Sequence, residues 1–106
     1  MYPHSSILKS LNGTSMSLAD LQQVTQVSLP TLRKAVQELM DGQWIRIVGQ
    51  AEANAGRPPN MFGLDDRHYA LIGVHLQLPG MHLTTTDLTG RVLHEARLIH
   101  EAFTLP

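Results

Sequence analysis

The sequence contains no cysteine, which excludes both a disulfide framework and a thiolate metal site. It has no apolar run long enough to span a bilayer. Its N-terminus lacks the basic-then-apolar stretch of a signal peptide. No membrane partner is expected, and a cytoplasmic location is. Charge of one sign is missing too. Eight Lys and Arg stand against nine Asp and Glu, for a net charge of −1. That balance excludes a strongly basic coating protein but leaves room for a local basic face. There is no P-loop, nucleophile elbow or pair of catalytic acids. The six histidines, His4, His68, His75, His82, His94 and His100, include no pair at the i, i+2 spacing of a strand site or the i, i+4 spacing of a helical one. His75 and His82 fall on different predicted strands and are not expected to meet. The sequence therefore predicts no catalytic residue, no metal ligand and no cofactor.

Hydrophobic residues make up 42% of the chain, enough for a packed core. The charges are unevenly spread. Up to residue 64, Lys9, Arg33, Lys34, Arg46 and Arg57 outnumber Asp20, Glu38, Asp41 and Glu52. Beyond it, Asp65, Asp66, Asp87, Glu95 and Glu101 outnumber Arg67, Arg91 and Arg97. A DNA-facing surface is therefore expected in the first segment.

Helical spacing of Ile7, Leu8 and Leu11, with Gly13 after them, predicts a helix over 5–12. Ser17, with Asp20 three places on, forms a capping-box pattern and opens a second helix over 17–24. Leu18, Leu21 and Val24 share its inner face. After the break Thr25-Gln26-Val27, Ser28 is expected to cap a third helix over 28–41, with Pro30 in its first turn. Leu32, Ala35, Val36, Leu39 and Met40 form its apolar stripe. Gly42 is expected to end it in a left-handed conformation. The β-branched and aromatic segment 44–48 predicts a strand, the Gly/Pro-rich segment 49–60 a loop, and 61–64 a returning strand. Period-two alternation then predicts strands at 69–78, 81–87 and 92–99, the last two joined by a turn at 88–91.

Two helices joined by a short turn are the helix-turn-helix unit, whose second helix lies in the major groove. Once the apolar stripe of helix 28–41 turns inward, Leu29, Pro30, Arg33, Lys34 and Gln37 face outward. Arg33 can pair bidentately with guanine and Gln37 with adenine. Ser28 and Thr31, with the free N–H groups of the helix start, suit phosphates. Arg57, between Gly56 and Pro58-Pro59, suits a narrow minor groove. The expected DNA-binding set is Ser28, Pro30, Thr31, Arg33, Lys34, Gln37 and Arg57. The competing reading is a winged-helix protein-interaction or dimerisation module that binds no DNA, with Leu29 and Pro30 as contacts.

The stretch LADLQQVTQVSLPTLRKAVQELMDGQWI, followed by GRP at 56–58, resembles the N-terminal winged helix of ROK-family transcriptional repressors. IGVHLQLPGMHLTTTDLTGRVL at 72–93 resembles the opening strands of the ROK sugar-kinase-like domain. The resemblance implies an α+β chain. A winged helix-turn-helix (three helices and a β-hairpin wing) at 1–64 precedes a short antiparallel β-meander at 65–106 from an incomplete actin-like/ROK domain. It also implies a repressor of carbohydrate-related genes that binds double-stranded operator DNA as a homodimer.

Two departures stand out. Gln26 occupies a turn position where the family commonly has glycine. His75 and Gln77 stand where kinase members carry the Asp and Gly of a phosphate-binding signature, so no kinase activity is expected. The family's later zinc motif has no counterpart, and a sugar effector is not expected to bind so short a chain. Three strands with one apolar face cannot bury that face alone. A truncated ROK chain that self-associates is therefore expected.

Overall fold

The computed structural model describes residues 2–52 and 56–99. Residues 53–55 of the expected loop, and His100 with 101–106 of the expected second domain, lie outside the described residues. The chain divides into two units, Met1–His68 and Tyr69–Pro106.

In the first unit, α1 (Tyr2–Ser10), α2 (Leu18–Thr25) and α3 (Leu29–Asp41) precede the hairpin of β1 (Ile45–Gln50) and β2 (Asn60–Leu64). α1 begins and ends earlier than its apolar spacing suggests, and Leu11 joins the core from just beyond it. The core gathers Ile7, Leu11, Leu21, Val27, Leu32, Ala35, Val36, Leu39, Ile45 and Phe62. Every helix thus commits its apolar face to one cluster, which supplies most of the stability of short helices. Val24 departs from the expected pattern. It shares a stripe with Leu18 and Leu21, yet it is 56% exposed, because an eight-residue helix meets the core chiefly through Leu21.

The hairpin pairs Ile45 with Leu64, Arg46 with Gly63 and Ile47 with Phe62. A bulge then shifts the register to Gly49–Met61 and Gln50–Asn60. β1 therefore runs two residues into the segment read as loop. Met16, ahead of α2, adds a third rung. Its N–H donates to the Phe62 carbonyl at 2.9 Å, and the Phe62 N–H returns a bond at 2.7 Å. A single-residue bridge has no sequence period, so nothing in the sequence announces it.

The helix C-terminus differs from expectation. Gly42 has φ −80°, and Gln43 takes the left-handed conformation at φ 65°. The reason for glycine at 42 is space. A Cβ there would lie 3.0 Å from Cδ1 of the Trp44 ring.

The second unit is an antiparallel meander of β3 (Ala70–Gln77), β4 (Gly80–Asp87) and β5 (Val92–Ile99). Ile72, Val74 and Leu76 of β3 lie opposite Thr85, Leu83 and Met81. Those in turn lie opposite His94, Ala96 and Leu98. Period two puts this set on one face. Ile72, Val74 and Leu76 are all more than half exposed, so the face is open among the described residues.

Two buried aspartates organise the chain after β2 and after β4. Asp65 Oδ1 accepts from Arg67 N at 2.9 Å and Nε at 3.1 Å, and Oδ2 accepts from Nη2 at 3.0 Å. Asp87 Oδ1 accepts from the Thr89 hydroxyl at 2.6 Å and from the N–H groups of Thr89 and Arg91 at 2.8 and 3.0 Å. Gly90, at φ 92°, completes the β4–β5 turn. The Arg67 side-chain bonds hold Asp65 below the ordinary carboxylate range against its burial, and the Thr89 hydroxyl does the same for Asp87.

Each carboxylate thus binds its proton more weakly folded than unfolded. Their contribution to stability is present above the unfolded value near 4 and is lost as pH falls below it. Thermal melts from pH 7 to pH 2 should show a plateau and then a decline below roughly pH 4. The Asp65→Asn variant should show a smaller acid decline than the parent chain, and equal declines would contradict this assignment.

Candidate nucleic-acid interface

The elements that build the interface are α2, its turn and α3. Ser17 and Asp20 form the expected capping box. The Asp20 N–H donates to Ser17 Oγ at 3.1 Å and the Ser17 N–H to Asp20 Oδ2 at 3.1 Å. Gln26 closes α2 in the left-handed region, at φ 59° and ψ 22°, with its N–H on the Gln22 carbonyl. This is the position where the resemblance called for glycine. Gln26 keeps the conformation by donating from Nε2 to the Gln23 carbonyl at 2.7 Å, and Val27 then turns into the core. A side chain at positive φ costs about 1–2 kcal/mol, partly offset by the larger unfolded-state freedom of glycine. Gln26→Gly should therefore stabilise the chain by about 0.5 kcal/mol in urea denaturation. Destabilisation would show that the Gln23 bond outweighs the strain.

α3 follows after the three residues Gln26–Ser28. Pro30, Thr31, Arg33, Lys34 and Gln37 are exposed along it, and Ser28 is exposed at its N-cap. Leu29, expected to face outward, is instead partly buried against the core. It sits one turn before Leu32 and two turns before Val36, beside the buried stripe. Ser28 is also not the side-chain cap expected of it. Its hydroxyl donates to Thr31 Oγ1 at 3.0 Å instead. Thr31 keeps its own O–H to donate.

The charge on this outer surface is polarised. Arg33 and Lys34 form no ion pair among the described residues. Further along, Glu38 lies 3.4 Å from the His4 ring. Asp41 accepts a 2.9 Å bond from Gln37 Nε2. The helix is thus basic and unpartnered over its first half and acidic at its end. This tether makes Asp41 a residue that the sequence reading missed, although its i, i+4 spacing from Gln37 is the kind that pairs on a helix.

Arg57 is exposed in the β1–β2 connection, after Gly56 at φ 79°. The strands below it are pinned by a 3.0 Å bond from Ala51 N–H to the Pro59 carbonyl.

No protein-family model matches the sequence, and no curated protein sequence does. A solved structure matches the fold. It is described as a ROK family transcriptional regulator, homologue of the E. coli MLC protein, with a TM-score of 0.72 over 94% of this chain. The chain shares the fold of the matched part of that regulator. Sequence identity is 19%, and the match spans 26% of the regulator's own length. The likeness covers 94% of this chain, and its three helices and two antiparallel sheets are consistent with a winged helix followed by a β-meander.

Proposed function

We propose that the chain is a sequence-specific DNA-binding transcriptional regulator, a repressor of carbohydrate-related genes that binds operator DNA as a homodimer in the cytoplasm. The observation that carries this reading is the unpartnered basic face of α3, Arg33 and Lys34, next to exposed Pro30, Thr31 and Gln37. In the major groove this face puts Arg33 against a guanine edge. Lys34, Ser28, Pro30 and Thr31 lie against the backbone and flanking bases. Arg57 reaches the adjacent minor groove. The ROK regulator fold supports the regulatory role. The carbohydrate link rests on the resemblance of the sequence to ROK repressors.

Gln37 can read adenine with both amide groups only if Nε2 leaves Asp41. Asp41→Ala should therefore tighten operator binding by up to about 1 kcal/mol, by freeing Gln37 and removing an anion from the face. Weaker binding would mean that the tether itself orients Gln37 productively.

The interaction-module alternative loses one of its two contacts, since Leu29 packs against the core. We also read the chain as non-enzymatic, since His75 and Gln77 replace the Asp and Gly of the kinase signature. ATP-dependent phosphorylation of a hexose by this chain would overturn that reading.

The deciding experiment is in-vitro selection from a random duplex pool at low salt. Enrichment of a two-fold symmetric site, bound with a steep salt dependence, is the expected result. A folded protein that enriches nothing would refute the proposal.

A further inference from the structure

His75 and His82 stand directly opposite each other on β3 and β4. His82 lies opposite Arg97 on β5. All three line one concavity of about 410 Å³ on the polar face of the meander, next to Gln77. Sequence spacing gave no reason for the two imidazoles to meet. The antiparallel register brings them together, seven residues apart across the 78–79 turn. The proposed regulatory function uses neither.

We propose that His75 and His82 form a two-imidazole chelate for a divalent transition-metal ion. Opposed residues of an antiparallel pair have Cβ atoms about 4.5–5.5 Å apart. From that separation two imidazoles can reach a single ion at roughly 2.0–2.1 Å each. A metal-bound histidine characteristically gives its other ring N–H to a carboxylate, which fixes the tautomer and strengthens the ligand nitrogen. His82 is placed near such a carboxylate. Its Nε2 lies 3.5 Å from Glu95 Oε1, and Nδ1 has no partner among the described residues. His75 is exposed and makes no hydrogen bond with another described residue.

No group of three or more His, Asp or Glu ligands converges among the described residues. The chelate is therefore bidentate, with Glu95 outside the coordination shell and solvent filling the remaining positions. Nitrogen donors favour copper(II), nickel(II) and zinc(II) over magnesium or calcium. Arg97 opposes the ion by charge and Glu95 favours it.

The test is titration of the full chain with copper(II), nickel(II) and magnesium chlorides, followed by isothermal calorimetry. Two-dimensional NMR of the histidine rings with zinc(II) accompanies it. The expected result is one ion per chain, bound in the order copper, nickel, with magnesium not bound. Zinc should shift the ring signals of His75 and His82. His75→Ala and His82→Ala should each abolish this binding while the amide spectrum stays folded. Glu95→Gln should weaken it about tenfold, and Arg97→Gln should tighten it. His94→Ala, on the opposite face of the sheet, should leave it unchanged. Binding that survives the His75→Ala, His82→Ala double variant, or that is lost with His94→Ala, would overturn the proposal. So would the absence of any copper or nickel binding by the folded parent chain.

Discussion

Leu32→Ala should destabilise the first unit by about 2–5 kcal/mol. Leu32 is fully buried in the first turn of α3, within the cluster that joins all three helices to Ile45 and Phe62. Removing its branched end leaves a cavity in that cluster. Small domains bury little core and have little stability in reserve. A loss of this size should therefore lower the melting temperature by about 8–40 °C, at roughly 4–8 °C per kcal/mol, and it should leave part of the population unfolded at room temperature. Urea denaturation followed by circular dichroism measures it. A loss under about 1 kcal/mol would mean that the site collapses around the alanine and that the core is less constrained than its burial indicates. DNA binding should fall only in proportion to the folded fraction, which separates this variant from one that removes a contact.

Arg33→Ala, in contrast, should leave stability nearly unchanged and weaken specific operator binding by about 1–3 kcal/mol, with relaxed base preference at one position. Arg33 is exposed and forms no ion pair among the described residues. Its truncation therefore leaves no buried group unsatisfied in the free protein. Lys34→Ala makes the comparison informative. A phosphate contact should weaken binding to all sequences alike and lower the salt slope by about one unit. Fluorescence polarisation on the selected site and on single-base variants, at several salt concentrations, distinguishes the two. If Arg33→Ala leaves affinity and base preference intact, α3 does not read DNA through this face.

The parts of the fold that were legible in the sequence were those governed by local chemistry. The capping box at Ser17 and Asp20, the proline in the first turn of α3 and the stripe from Leu32 to Leu39 each involve residues within a turn or two of one another. The period-two segments after residue 69 were legible for the same reason. The exposed set on α3 followed by subtraction, and Leu29 was misplaced because it borders the stripe. Gly42 looked like a left-handed stop, but the backbone reverses one residue later at Gln43, and glycine serves the approach of Trp44. That approach depends on where the following strand runs, and helix periodicity carries no information about it.

The sequence by itself determined the order of elements, the starts of α2 and α3 and which face of α3 carries Arg33 and Lys34, because helical and strand periods are local properties of the chain. Only the tertiary structure decided the Met16–Phe62 bridge, the exposure of Val24, the Gln37–Asp41 tether and the meeting of His75 with His82. The bridge, Val24 and the histidine pair depend on strand register or on which helix face meets the core. Register and the choice of buried face are not encoded in spacing along one segment, and the tether, although its i, i+4 spacing allows a pair, depends on side-chain rotamers.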